Sequence, residues 1–359
     1  MPTRSQTLAK ANALRGMFET QGAVLVEPPI LQPAGTLLDL YGEDIRARAY
    51  VTSDALRGEQ MLRPDFTVPV VQMHMADGAE PARYTYAGEV FRRQEHDPDR
   101  ANEYVQVGYE VFDRTDPAGA DAEVFALIAS ALDGLPVTPV TGDIGVLMAA
   151  VDGLQTTQRR KAALMRHIWR PRRFRQMLHR FAGQTPIPAT RAALLAGDVI
   201  TDAPLIGLRS AAEIGARVQA LHDDAAAPPI TGDEVDLIEA LLGLRETLPF
   251  ALTRLHDLAM DLPAISSAVA RIDARAQALA ARGVAIDQLM FDASYGRSQM
   301  EYYDGFVFGF RAEGRPDLPS IAGGGRYDAL TRRLGQGAEI PAVGGVMRPG
   351  LMLELEAAR

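Results

Sequence analysis

Residues 103–113 read EYVQVGYEVFD, and their types suit holding a ligand. Period 2 places Tyr104, Gln106, Gly108 and Glu110 on one face and Val105, Val107, Tyr109 and Val111 on the other. The apolar face wants a core. The other offers an amide, a carboxylate and a glycine gap through which something can approach the backbone. Such a strand either floors a polar pocket or lies antiparallel with its polar face in water; alternation alone leaves both open. Residues 300–310, MEYYDGFVFGF, set Glu301, Tyr303 and Gly305 on one face among aromatics. This suits a ligand-lined strand and, equally, a core strand bent at glycine. Gly323-Gly-Gly-Arg326 resembles a phosphate-cradling loop, because unhindered N–H groups can converge on an anion. It lacks the G-K-[ST] and G-x-G-x-x-G patterns, so a flexible turn is the simpler reading. Residues 159–180 carry nine Lys and Arg with Trp169 and Phe174 among them. They suit RNA or an acidic protein face, or else form solvated helices whose Arg stems cover apolar surface.

Composition removes several classes of chemistry. The 359 residues hold 37 basic and 46 acidic side chains, a net charge of −9. That field opposes non-specific nucleic-acid binding, so a solvated face or a protein contact is preferred for the basic segment and tRNA is not an expected partner. There is no Cys, hence no disulfide, Cys-ligated metal or thiol nucleophile. The six His show no H-E-x-x-H spacing, and no metal or cofactor is expected. No Ser/His/Asp order or nucleophile elbow stands out, and the acids are too scattered to nominate a general acid–base pair. Neither a membrane span nor a signal peptide is legible, so a cytoplasmic protein is expected. Lys10 and Lys161 are the only lysines, a bias that abundant Ala suggests is genomic.

The length suggests roughly two domains. Leu8, Ala11, Leu14, Met17 and Phe18 recur at helical spacing, and Gly22 stops that helix. Strands are expected over 23–27, 46–53, 59–63, 83–92, 103–113 and 137–141. Helices are expected over 69–75, opened by Pro69, and over 120–132; Asp143 caps the helix that follows. From 154 to 283 strand signals vanish and Ala/Leu/Arg helical periodicity takes over, broken at 225–231. Strands return over 289–293, 300–311 and 320–323, and a helix starts at Pro349. The expected class is α+β, with a core of 1–153 and 284–359 interrupted by a helical insertion of 154–283.

The ordered segments resemble the catalytic core of class II aminoacyl-tRNA synthetases, specifically histidyl-tRNA synthetase. The resemblance runs through Gly22-Ala-Val-Leu-Val-Glu-Pro-Pro29, Leu62-Arg-Pro-Asp-Phe-Thr-Val-Pro69 and Tyr86-Ala-Gly-Glu-Val-Phe-Arg-Arg93. It continues through Gln106-Val-Gly-Tyr-Glu110, Asp121-Ala-Glu-Val124, Glu301-Tyr-Tyr303, Gly323-Gly-Gly-Arg-Tyr-Asp328 and Pro341-Ala-Val-Gly344. It covers 5–135 and 285–350. It implies an antiparallel sheet flanked by helices and self-association as a dimer through the first helix and strand. It also implies a histidine pocket formed by Asp65, Gln106, Glu110, Tyr303 and Tyr327.

Departures from the synthetase pattern fall where ATP is handled. An Arg that helps activate histidine corresponds to Ser298, and the Arg closing the third motif corresponds to Leu351, with Arg348 out of register. Phe-Arg-x-Glu becomes Phe91-Arg-Arg-Gln94, a loop Arg becomes Asn102, and an adenine-stacking Phe becomes Tyr104. The sequence ends at Arg359 without the expected anticodon-binding domain. Adenylate formation needs positioned cations on the α-phosphate, worth several kcal/mol, and Ser and Leu supply none. Arg92 and Arg326 remain anion-binding candidates. A surviving amino-acid pocket beside lost ATP chemistry resembles the regulatory subunits of ATP phosphoribosyltransferase. That resemblance implies a non-catalytic chain assembled with a short-form catalytic subunit in the first step of histidine biosynthesis, with histidine as inhibitor. A truncated histidyl-tRNA synthetase is the alternative.

Overall fold

The computed structural model describes residues 2–41, 45–94, 100–197, 206–297 and 302–358. Helix α1 (Arg4–Thr20) starts at Thr3, whose hydroxyl accepts from the Gln6 N–H while the Gln6 side chain accepts from the Thr3 N–H. Its buried residues Ala11, Leu14 and Phe18 keep the three-and-four spacing. Gly22 follows at φ +88°, a left-handed stop. Next come β1 (Val24–Leu25), β2 (Leu31–Pro33), α2 (Ala34–Tyr41), α3 (Ile45–Arg48), β3 (Val51–Asp54) and β4 (Gly58–Leu62). The strand expected over 46–53 therefore divides into a helical turn and a strand. Alternation in Ile-Arg-Ala-Arg-Ala mimicked a strand, but Ile45 and Ala49, four apart, are the buried pair.

Then follow α4 (Thr67–Asp77), β5 (Ala82–Phe91), β6 (Glu103–Phe112), α5 (Pro117–Ala131), β7 (Val137–Asp143) and α6 (Ile144–Gly153). Pro69 sits inside the first turn of α4, where its missing N–H costs no helical bond. The helical stretch comprises α7 (Gln158–Arg166), α8 (Pro171–Phe181), α9 (Ala189–Ala196), α10 (Ala211–Ala226), α11 (Gly232–Gly243), α12 (Leu248–Asp261) and α13 (Ser266–Ala281). It also holds a short strand that the residue pattern did not disclose, β8 (Arg245–Thr247). The chain closes with β9 (Met290–Asp292), β10 (Phe306–Ala312), β11 (Ala322–Arg326), α14 (Asp328–Leu334), β12 (Ala342–Met347) and α15 (Pro349–Ala357).

Nine strands form one sheet in the order β1-β5-β6-β12-β11-β10-β7-β9-β8, and β2-β4-β3 form a second. The pairs β1·β5 and β7·β9 are parallel; the other pairs of the large sheet are antiparallel. On β6, Tyr109 meets Phe18 of α1 with ring centroids 5.2 Å apart, so α1 covers the apolar face. The helical stretch is tied to the sheet twice. β8 pairs with β9, and Arg275 of α13 donates to Asp121 of α5 at 3.1 Å and to Asp143 at 2.6 Å. Asp143 occupies the cap position before α6, yet its side chain caps nothing, because Arg275 holds it.

Residues 323–326 are neither a phosphate cradle nor a turn: they lie within β11, between β12 and β10. Their glycines serve close packing. A Cβ on Gly324 would overlap the Gly344 carbonyl, and one on Gly325 would meet the Phe306 carbonyl at 2.6 Å and the Tyr303 ring at 2.8 Å. The strand expected over 300–311 begins only at Phe306, and residues 298–301 lie outside the described residues. Among the described residues, no helix is long and apolar enough to cross a membrane.

Gly324→Ala is expected to lower stability by ~1–3 kcal/mol, because backbone on the facing strand must shift. Gly215→Ala, in α10 with nothing near the added methyl, is expected to raise it by up to ~1 kcal/mol. Thermal unfolding of the two variants checks the opposite signs.

Candidate functional site

The polar face of β6 is buried. Gln106 and Glu110 are each 1% exposed, which decides between pocket floor and solvated face. A cavity of about 610 Å³ opens above Gln106 and the side-chain-free backbone of Gly323, Gly344 and Gly345. Asp65 and Thr67, at the entry to α4, form one wall, and Tyr302 and Tyr303 another. Arg92, Arg348 and the hairpin between β10 and β11, with Arg311 and Arg315, line the remainder.

Glu110 lies beneath this floor rather than in the lining. Its carboxylate accepts from three hydroxyls: Thr67 Oγ1 at 2.9 Å, Tyr86 at 2.8 Å and Tyr327 at 2.6 Å. A Cβ on Gly344 would overlap this carboxylate, so glycine is required there. Tyr86 reaches Glu110 because Gly108, its register partner on β6, leaves room for the ring. The glycine gap on β6 is thus filled by a tyrosine of the chain itself. Phe66 stacks on Tyr86 at 4.2 Å and carries the Arg63 guanidinium at 3.9 Å on its own ring. Burial pushes the Glu110 carboxyl up to about 7, against the three hydroxyl bonds that favour its charged form. Burial and the nearby Glu110 charge raise the Tyr86, Tyr303 and Tyr327 phenols, which stay protonated donors.

Asp65, Gln106 and Tyr303 converge on the cavity, with Tyr327 and Glu110 just behind it. Asp65 accepts from the Val68 N–H at 3.3 Å. The Gln106 Oε1 is buried and has no hydrogen-bond partner. A buried carbonyl left in that state costs about 1–3 kcal/mol, which a ligand N–H would recover. Arg92 is held beside the Pro64–Asp65 link by its Nε–H bond to the Pro64 carbonyl, 2.6 Å. Arg348 stacks over Tyr104 with its guanidinium 5.4 Å from the ring centroid and donates to the Ser320 carbonyl at 3.1 Å. Arg326 is elsewhere. It is 7% exposed, bonded to Asp121 at 2.7 Å and 3.1 Å, to Asp328 at 3.1 Å and to the Pro117 carbonyl at 2.7 Å.

Thr67 and Tyr86 were not anticipated as partners of Glu110; the facing Gly108 was the available signal. Arg311, Arg315 and Arg348 were also missed as lining cations. Arg348 precedes α15 and points into the cavity, whereas Leu351 lies one turn on, packed against the core. The cavity therefore keeps four arginines. Ser298 and Glu301 lie outside the described residues. Among the described residues no group of three or more His, Asp or Glu could hold a metal ion. Acceptors and cations both line the cavity, which suits a ligand carrying both charges. Because the folded Glu110 carboxyl is raised from an ordinary 4.5 to about 7, its contribution is full below pH 4.5 and is lost as pH rises through 7. Glu110→Gln removes that titration. The stability of the variant relative to the unaltered chain should rise by up to ~3 kcal/mol between pH 4.5 and 8, by denaturant unfolding. A pH-independent difference contradicts this.

The histidyl-tRNA synthetase family profile matches residues 2–349. An ATP phosphoribosyltransferase regulatory subunit of Brucella anthropi is 34% identical over 358 residues, covering 93% of each chain. Among solved structures, an ATP phosphoribosyltransferase regulatory subunit/histidyl-tRNA synthetase from Bacillus halodurans superposes with TM-score 0.68 at 20% identity, over 98% of this chain and 79% of that one. A histidyl-tRNA synthetase from Nostoc gives TM-score 0.66 at 18% identity, over 98% and 72%. These two share the fold, as the antiparallel sheet and its helices require. The chain belongs to the histidyl-tRNA synthetase-like family, in the branch of the ATP phosphoribosyltransferase regulatory subunits.

Proposed function

We propose that the chain is the non-catalytic subunit of a cytoplasmic ATP phosphoribosyltransferase, docking a short-form catalytic subunit and holding histidine as its effector. The observation that carries the histidine reading is the buried Gln106 amide, its Oε1 unpartnered, in the floor of a cavity lined by both Asp65 and arginines. Free histidine brings N–H donors for Gln106 and Asp65, and a carboxylate for the arginines. Histidine then biases the assembly between active and inhibited arrangements by its different affinity for the two. Self-association as a dimer is supported by apolar residues exposed near β1 and the small sheet: Val24, Leu25, Ile30, Leu31, Val51 and Leu56. The net charge of −9 disfavours tRNA as a partner. Within the basic segment, Arg160 is buried and paired with Asp224, and Arg175 is paired with Glu239, so these charges are answered inside the fold.

A truncated histidyl-tRNA synthetase is the second reading. The observation favouring it is the set of arginines lining the cavity, Arg92, Arg311 and Arg348, with Arg315 paired to Asp317. Histidine-dependent exchange of pyrophosphate into ATP separates the two: the regulatory reading expects none from the chain alone.

The purified chain and a short-form catalytic subunit should co-elute and raise phosphoribosyl transfer; separate elution at every salt concentration counts against assembly. Histidine at a hundredfold excess over Kd should stabilise the chain by about 2.7 kcal/mol. Gln106→Leu should leave the ligand-free chain as stable or more so, since it removes an unsatisfied buried amide, yet abolish the histidine-induced rise in Tm. A full rise in that variant places histidine elsewhere.

A further inference from the structure

The link between α7 and α8 makes two side-chain contacts, one of them to the cavity wall. The Trp169 indole N–H donates to the Tyr303 carbonyl at 3.3 Å. One residue earlier, the Ile168 carbonyl accepts from the Arg297 Nε–H at 2.7 Å. Arg297 is 2% exposed, packs its guanidinium 4.9 Å from the Phe174 ring centroid on α8, and leaves Nη2 without a partner. The Nε–H bond of Arg297 fastens the link at Ile168. On the cavity side, the Tyr303 ring packs edge-on to Tyr302 at 4.9 Å, and only glycine fits beside it at position 325. The next residue, Asp304, accepts from the Asp328 N–H at 3.0 Å and the Ala329 N–H at 2.6 Å, at the start of α14. The direction of the Tyr303 phenol is thus set by β11 and α14 from the core and by Trp169 from the helical stretch.

We propose that Trp169 is a positioning residue for the amino-acid end of the cavity: by holding the Tyr303 carbonyl it aims the Tyr303 phenol, so the helical stretch completes the pocket. This rests on the reading of the cavity as a histidine site. Trp169 is the sole tryptophan of the chain, so its emission reports on this contact alone. Calorimetric titration of histidine into the full chain, into Trp169→Phe and into Ile238→Val tests the proposal. Trp169→Phe keeps an aromatic body but removes the N–H. Ile238→Val removes one methyl group from a fully buried side chain of α11 and lowers Tm. Expected is a two- to tenfold weaker affinity in Trp169→Phe, the worth of one hydrogen bond. Ile238→Val should bind like the unaltered chain, whose tryptophan emission should shift with the calorimetric Kd. Unchanged affinity in Trp169→Phe, or equal weakening in both variants, overturns the proposal alone. Absence of histidine binding by the unaltered chain overturns the pocket reading and this proposal with it.

Discussion

A carboxylate taken wholly out of water must find its donors inside the fold, and Glu110 finds them in three hydroxyls. Those hydroxyls come from α4, from β5 and from the residue that follows β11, so one side chain fixes how three separate stretches meet. The donors are neutral hydroxyls. Burial outweighs them and weakens its acidity, and the adjoining part of the cavity stays acceptor-rich. Arginines line the same cavity. Acceptors for an ammonium or imidazole N–H and cations for a carboxylate thus line one cavity, the charge pairing that a free amino acid carries.

A second buried set of charges secures the frame around this site. Asp121 of α5 bridges Arg275 from the helical stretch and Arg326 from β11. Such a network contributes little net stability compared with apolar packing, but breaking it by removing one partner is costly. Its use here is geometric: it locks α13, α5 and β11 into one arrangement. With β8 paired to β9, the helical stretch is continuous with the sheet, so its contact at Tyr303 arises from a firmly seated element.

Much of the fold was legible because strong periodicities survive in it. Alternation marked β5 and β6, the three-and-four spacing marked α1, and both persist in the structure. The pocket residues were legible only as types. Gln106 and Glu110 shared a face, but that face was silent on burial until Tyr86, Thr67 and Tyr327 closed over it. The glycines at 323–325 misled, because the same lack of a side chain that opens a loop also lets three strands crowd together. Arg348, out of register with the motif in sequence, lines the cavity from the residue before α15, a placement that motif spacing does not disclose. Arg326 offered a cation in sequence, yet its charge is already answered by Asp121 and Asp328.

The central claim, that this cavity holds histidine, is tested most directly by a crystal structure of the full chain grown with histidine. The account predicts electron density for the amino acid above Gly344, with a ligand nitrogen within hydrogen-bond distance of the Gln106 Oε1 and its carboxylate towards Arg92 or Arg348. Histidine bound at another surface, with the cavity holding only water, would contradict it.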